Sequence, residues 1–197
     1  MSTCIKITFM KPNPQGKGSL TILKDLDGST QGLSIIPKNP EQVLTELFTS
    51  LFVLKASFKF KPIVGKDYWL YQVEGILKLY QFSPQEWGNR APGQWIGKCS
   101  MGPDLIWSLE INQILKDDPN FIKSIEDQRD QWEQGLEEVD SMETLLPEYA
   151  EELPYYQRVM AFGLSKSLKA SLGLTGQLSL KPKDVIALRL EKETPKV

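Results

Sequence analysis

The sequence predicts an α+β fold: a small antiparallel sheet of about four strands, an amphipathic helix packed on it, and a C-terminal helical segment. Four of the five tryptophans lie between residues 68 and 111, in short alternating segments separated by turn residues, as is typical of paired strands. A helix-like apolar periodicity precedes this block, and further helical patterns follow it. Because a sheet and an apolar helix face can cover each other, these observations together predict a two-layer core.

The chain divides into four predicted regions of different character. Residues 1–38 are an N-terminal extended arm with short strands at 4–9 and 20–24, and residues 39–116 are the helix and the Trp-rich sheet core. Residues 117–176 are acidic helices and a C-terminal amphipathic helix. Residues 177–197 are a C-terminal loop and tail with a short apolar piece at 185–190. The arm strands flank a loop rich in Pro and Gly at residues 12–18.

The core helix has clear start and stop signals. Asn39 is the predicted N-cap, Pro40 suits the first helical position, and apolar residues recur at helical spacing as far as Phe58. Pro62 and Gly65 are expected to end this segment. Its wide apolar face predicts packing against the sheet, with a homodimer helix as the alternative.

The later helices have signals of the same kind. Asp118 and Pro119 are predicted to cap an acidic helix, and Asp140 with Glu143 has the spacing of a capping box. The last strong helix is predicted to run from Pro154 to a stop at Gly173.

The Trp-rich block predicts two strand pairs. A hairpin turns at Glu74-Gly75 between segments 68–73 and 76–82, and a second pair, 94–100 and 105–111, surrounds a turn at 101–104. A single helical turn is expected from Ser83 or Pro84 to Gly88.

Composition excludes several kinds of chemistry. The chain has no histidine, which rules out Ser-His-Asp and Cys-His sites and zinc sites with imidazole ligands, and its two cysteines are too few for an all-Cys zinc site. No metal site and no cofactor are predicted. The remaining enzyme options are a lysine nucleophile, a magnesium site made of Asp and Glu, or acid/base work by carboxylates. The carboxylate candidates are Glu86, Asp104 and Glu110, for which surface or turn roles are favoured. Sparse cysteines and the lack of a signal-peptide pattern or of a long apolar run predict a cytoplasmic protein without a membrane span.

Charge is divided unevenly along the chain. Residues 126–152 hold eleven acidic residues against one base, a local charge of −10, whereas the remainder carries +8. A solvated face is the favoured interpretation, a docking surface for a basic protein partner is the next, and a cover over a basic groove is the third. Interaction candidates are Glu133, Glu137 and Glu138 on the acidic helices, with Trp87 and Trp95 in the Trp-rich block.

Aromatic residues of the sheet suggest a second kind of surface. Tyr68, Tyr71, Tyr80 and Trp95 are candidates for stacking on nucleic-acid bases if they face solvent. Core packing is favoured over a ligand platform, because aromatic side chains bury large areas.

The Trp-rich segments resemble an uncharacterised domain-of-unknown-function family of bacteria with eukaryotic relatives. The resemblance lies in the segments 68–71, 83–88 and 104–107 with Gly75 and Gly97. Further likeness to a proteobacterial branch lies in residues 12–18, 48–52 and 153–156, and that branch implies a start near Met10, with residues 1–9 as an extension. The resemblance implies the fold and a cytoplasmic setting, and it implies no activity, cofactor or site.

These observations favour a non-enzymatic cytoplasmic interaction or accessory protein with a protein partner. The alternatives are a nucleic-acid-binding protein that uses a basic, aromatic sheet, and a carboxylate-dependent enzyme of the hydrolase type. A homodimer is compatible with the apolar helix face.

Overall fold

A computed structural model describes residues 35–146 and 153–193. The elements within these ranges, in chain order, are α1 (Pro40–Leu54), β1 (Asp67–Val73), β2 (Ile76–Tyr80), α2 (Pro84–Trp87), a 3-10 turn (Gly88–Arg90), β3 (Gln94–Met101), β4 (Trp107–Ile111), α3 (Gln113–Lys116), α4 (Pro119–Gln134), α5 (Met142–Leu145), α6 (Tyr155–Thr175) and α7 (Pro182–Glu193). The predicted α+β class is confirmed. The predicted strands at 4–9 and 20–24, the loop between them and the start at Met10 lie outside the described residues.

The four strands form one antiparallel sheet in the order β2-β1-β3-β4. The predicted hairpin between β1 and β2 is confirmed, and its turn residues Glu74 and Gly75 have φ angles of 52° and 79°, as a tight two-residue hairpin requires. Between β1 and β3 the register shifts after Leu70, so Ile96 is an extra residue on β3 and forms a β-bulge.

Helix α1 begins as predicted but ends earlier. The Asn39 side chain accepts the N–H of Gln42, and Pro40 occupies the first turn. The helix ends at Leu54 rather than near Pro62, because Ser57 pairs with the outer edge of β2 through hydrogen bonds to the backbone of Leu77 and Leu79. Phe58, which was predicted to lie on the helix, is buried in this extended segment instead.

One hydrophobic core joins the sheet to the helices. The inner face of the sheet contributes the buried residues Tyr68, Leu70, Leu79, Cys99, Met101 and Trp107. Helix α1 packs along β4 and against α6 and α7, and the Ser50 hydroxyl accepts the backbone N–H of Trp107 at 3.0 Å. The Gln157 side chain of α6 donates to the carbonyl of Ala56 at 3.3 Å. The predicted packing of the first helix with the Trp-rich block is therefore confirmed.

The acidic helix α4 contacts α1. Its Trp132 ring contacts Phe48 of α1, with 5.4 Å between ring centroids. Asp118 caps α4 as predicted, and its carboxylate accepts the N–H of Asn120. The predicted capping box of Asp140 and Glu143 is wrong by one residue: it consists of Ser141 and Thr144, whose hydroxyl groups each accept the other residue's backbone N–H.

The C-terminal part differs from the predicted loop and tail. Helix α6 continues past Gly173 to Thr175, where Gly176 ends it. Residues 182–193 then form α7, which buries Val185 and contacts α1. In residues 35–146 and 153–193, no helix has the combination of length and apolar character that a membrane crossing needs.

Candidate functional site

The three candidate carboxylates have separate local roles. Glu86 accepts the backbone N–H of Ser83 at 2.6 Å, and this hydrogen bond lowers the pKa of its carboxyl. Asp104 lies in the β3–β4 turn and binds Lys38 at 2.9 Å, while Glu110 is exposed on β4 opposite Lys98. Among the described residues, no group of three or more His, Cys, Asp or Glu is arranged to hold a metal ion.

Asp104 belongs to a buried ion cluster that ties three segments together. The Lys38 ammonium lies 2.7 Å from Glu46 of α1 and 2.9 Å from Asp104, and the Lys38 side chain is 8% exposed. Burial by itself lowers the pKa of Lys38, but the hydrogen bonds to the two carboxylates outweigh it and the pKa is raised. Asp104 thus holds the segment before α1 against the sheet, which is a structural role.

Residue pairing in the sheet assigns the aromatic side chains to opposite faces. Directly paired residues of antiparallel strands point to the same side. Trp69 pairs with Tyr80, and Tyr71 pairs with Trp95 across the bulge, so these four side chains lie on the outer face, away from α1 and α6. Tyr68 lies on the inner face, where it is fully buried and its hydroxyl accepts the N–H of Ile63 at 2.7 Å.

The four residues of the nucleic-acid hypothesis are therefore not one platform. Tyr68 belongs to the main core, and its inclusion was wrong. Tyr71 lies on the outer face but has no exposed surface. Of these four candidates, only Tyr80 and Trp95 are half-buried residues of the outer face. The alternation of residues along the strands predicted which side chains share a face of the sheet. It did not predict which of the two faces the helices cover.

A second aromatic cluster lies on the outer face, separate from the main core. The cluster is a chain of ring contacts that runs from Tyr71 through Tyr80 and Trp87 to Phe82. Successive ring centroids are 5.6 Å apart, and the interplanar angles are 71° to 89°. Tyr71 is at its buried end and Phe82, 52% exposed, is at its open end. Burial, with the nearby Glu86 carboxylate, raises the pKa of Tyr71 to about 12. We call these four residues the outer aromatic cluster.

The loop of residues 83–93 holds Trp87 on the sheet. Ser83 and Glu86 form a capping box that starts the short helix α2 as the sequence predicted. The loop then returns so closely to β1 that a Cβ at Gly93 would lie 2.2 Å from the Gln72 carbonyl oxygen. Glycine is required there, because any larger residue would force the loop away from the strand.

A notch opens to solvent at the exposed end of the cluster. It has a volume of about 290 Å³ and is lined by Phe82, Glu86, Trp87 and Arg90. Arg90 is exposed and makes no ion pair within the described residues. The sequence identified Trp87 as a candidate but missed Phe82 and Arg90, although their position on either side of the predicted helical turn was a usable signal.

Of the three acidic candidates, Glu133 is unavailable for a partner. It is 9% exposed, it binds Arg189 of α7 through two hydrogen bonds of 2.8 and 2.6 Å, and it also accepts from Arg129 at 2.8 Å. Burial alone raises the pKa of Glu133, but the two arginines outweigh this effect and the pKa is lowered. Its selection as an interaction residue was wrong, whereas Glu137 and Glu138 are exposed.

The acidic helix α4 and the outer aromatic cluster lie on different sides of the molecule. Helix α4 lies beside α1 and α7, on the helical side. Residues 55–100, which form most of the sheet and the notch, contain seven Lys or Arg and three Asp or Glu. The outer aromatic cluster is therefore set in a basic region, away from the acidic helix.

Comparison with known proteins yields no match to any family model, any curated protein or any solved structure. The family resemblance of the Trp-rich segments stays a prediction.

Proposed function

We propose that this protein is a non-enzymatic interaction protein that binds a segment of a partner protein at the notch of the outer aromatic cluster. The observation that carries the proposal is the notch itself, an open depression of about 290 Å³ that is lined by Phe82 and Trp87 and by a charged residue of each sign. Aromatic and arginine side chains in a concave site are the groups that contribute most to binding energy at protein interfaces.

The position of the cluster supports a binding role over a purely structural one. The main core is complete on the other side of the sheet and does not include Tyr71. A loop with a capping box holds Trp87 in place, yet Phe82 remains 52% exposed. A large aromatic side chain at the end of a preformed cluster is a suitable anchor, because little conformational freedom is lost when a partner binds it.

The exposed acidic residues form a second contact region in this proposal. Glu137 and Glu138 follow α4 on the helical side and can steer a basic surface of the same partner or of another one. The cytoplasmic setting and a homodimer, both expected from the sequence, belong to the same proposal.

Co-purification with the full chain from its native host tests the proposal. Phe82→Ser should remove at least one protein that the parent retains, because the anchor is lost while the core is untouched. Leu188→Ser is the matched control, since Leu188 is 58% exposed on α7, on the helical side. The two variants are compared at equal folded content, judged by circular dichroism. Identical sets of retained proteins in the parent, Phe82→Ser and Leu188→Ser would contradict the proposal.

Nucleic-acid binding is the second candidate, because the outer face carries a lysine beside half-buried aromatic rings. Lys59, Lys61 and Lys66 are exposed, and Lys78 shares the outer face with the half-buried rings of Tyr80 and Trp95. If single-stranded RNA or DNA binds there, its affinity should fall steeply with salt. Measurable, salt-sensitive binding that Lys59→Glu with Lys61→Glu abolishes would favour this candidate.

A further inference from the structure

We propose that the notch takes an acidic peptide segment in which an aromatic or large aliphatic side chain stands beside carboxylates. This inference rests on the proposed function, because it states the chemistry of the partner at the same surface.

Arg90 is the exposed donor of the notch. Its guanidinium can only donate, and it makes no ion pair within the described residues. The indole N–H of Trp87, which also lines the notch, is buried and has no hydrogen-bond partner among the described residues. A ligand that provides acceptor oxygens therefore suits the Arg90 side of the notch.

The carboxylate on the rim is bound within its own loop. One Glu86 oxygen accepts the Ser83 N–H at 2.6 Å as part of the capping box. Its charge is thereby directed towards the start of α2, where it stabilises the helix terminus. Arg90, in contrast, makes no ion pair within the described residues, and a guanidinium binds carboxylates in a bidentate geometry.

Charge complementarity favours an acidic partner at longer range as well. The region of residues 55–100 has seven bases against three acids. Such an excess attracts a partner of negative charge and raises the rate of association.

Size and ring geometry favour a peptide over nucleic acid. The volume of about 290 Å³ is at the lower limit of the roughly 300–1,000 Å³ of small-molecule pockets, so it suits one large side chain with its neighbours. Tyr80 makes edge-to-face contacts with both Tyr71 and Trp87. Of the four rings of the outer aromatic cluster only Phe82 is exposed, whereas single-stranded nucleic acids bind by stacking successive bases on several rings.

Fluorescence anisotropy with the full chain can test this inference. The probes are three labelled synthetic peptides of equal length, each with a central Trp-Leu pair flanked by glutamates, lysines or serines, and a labelled oligothymidine. We expect the glutamate peptide to bind most tightly. Arg90→Glu should weaken its binding by about ten- to a hundred-fold, the range expected when a hydrogen bond to a charged group is lost. The control Lys183→Glu reverses an exposed charge on α7 and should leave the affinity unchanged.

The outcomes separate this inference from the proposed function. Preference for the lysine or serine peptide, with loss of binding in Phe82→Ser, would overturn the acidic specificity and leave the notch as a protein-binding site. Binding of oligothymidine alone would overturn both. If no probe binds, or if Arg90→Glu and Lys183→Glu have the same affinity for the glutamate peptide, the acidic specificity is refuted.

Discussion

The contact between α4 and α7 depends on one buried carboxylate, so Glu133→Gln should destabilise the fold. The change keeps the shape of the side chain but removes the charge that two arginines share. The Glu133 side chain is 10% exposed and that of Arg189 is 13% exposed, whereas Arg129, at 33%, can turn to solvent. Hydrogen bonds to charged groups contribute about 1.5–3 kcal/mol, and breaking a fully buried pair costs about 3–5 kcal/mol. For this partly exposed cluster we expect a loss of about 2–4 kcal/mol in the free energy of unfolding.

Urea denaturation followed by circular dichroism measures this loss, with Glu137→Gln as the matched control. Glu137 is exposed, so its substitution should change the free energy of unfolding by about 0.5 kcal/mol or less. The difference between the parent and Glu133→Gln should also depend on pH. Because the folded-state pKa of Glu133 is lowered, its stabilisation is complete above the unfolded-state pKa of about 4.3 and is lost as pH falls through the folded-state value. Equal midpoints for Glu133→Gln and Glu137→Gln at neutral pH would refute the reasoning.

Three further predictions concern the core and the two surfaces. Leu47→Ala should lower the free energy of unfolding, measured by urea denaturation, by about 2–5 kcal/mol because Leu47 is buried. Leu51→Ala should lower it by less because Leu51 is half-buried, and equal losses for the two variants would contradict the packing. Tyr71→Phe should leave stability unchanged or raise it by about 1–3 kcal/mol, since it removes a buried hydroxyl without a partner, and a lower thermal midpoint would mean that the hydroxyl is bonded in solution. Joint Glu137→Lys and Glu138→Lys should release a basic partner in co-purification while the circular dichroism spectrum stays unchanged, and retention of every partner would assign these residues to a solvated face.

The local elements of this fold were predictable because their signals are local. The Asn39 side chain accepts a backbone N–H of the first turn of α1, and the ring of Pro40 holds the backbone in a helical conformation there. Both effects act within one turn. Glu74-Gly75 similarly determines the hairpin, since few residues adopt positive φ angles at two successive positions. Such signals depend only on neighbours in the chain.

The features that were not predictable from the sequence depend on contacts between residues that are far apart in the chain. Helix α1 ends at Leu54 because Ser57 pairs with a strand that follows some twenty residues later. Glu133 reads as one acid among many, and its burial depends on Arg189, 56 residues away. Tyr68 and Tyr71 look alike in an alternating strand, and only the position of the helices makes one a core residue and the other part of the outer aromatic cluster.

Photo-crosslinking at position 82 in the native host tests the central claim most directly. Phe82 is replaced by benzoylphenylalanine, which keeps an aromatic ring at the open end of the notch, and the same replacement at Leu188 is the control. The account predicts a crosslinked protein at position 82 that is absent at position 188, with the crosslinked peptide rich in acidic residues. No crosslink at position 82, or the same crosslinked products at both positions, would contradict the claim that the notch binds a partner protein.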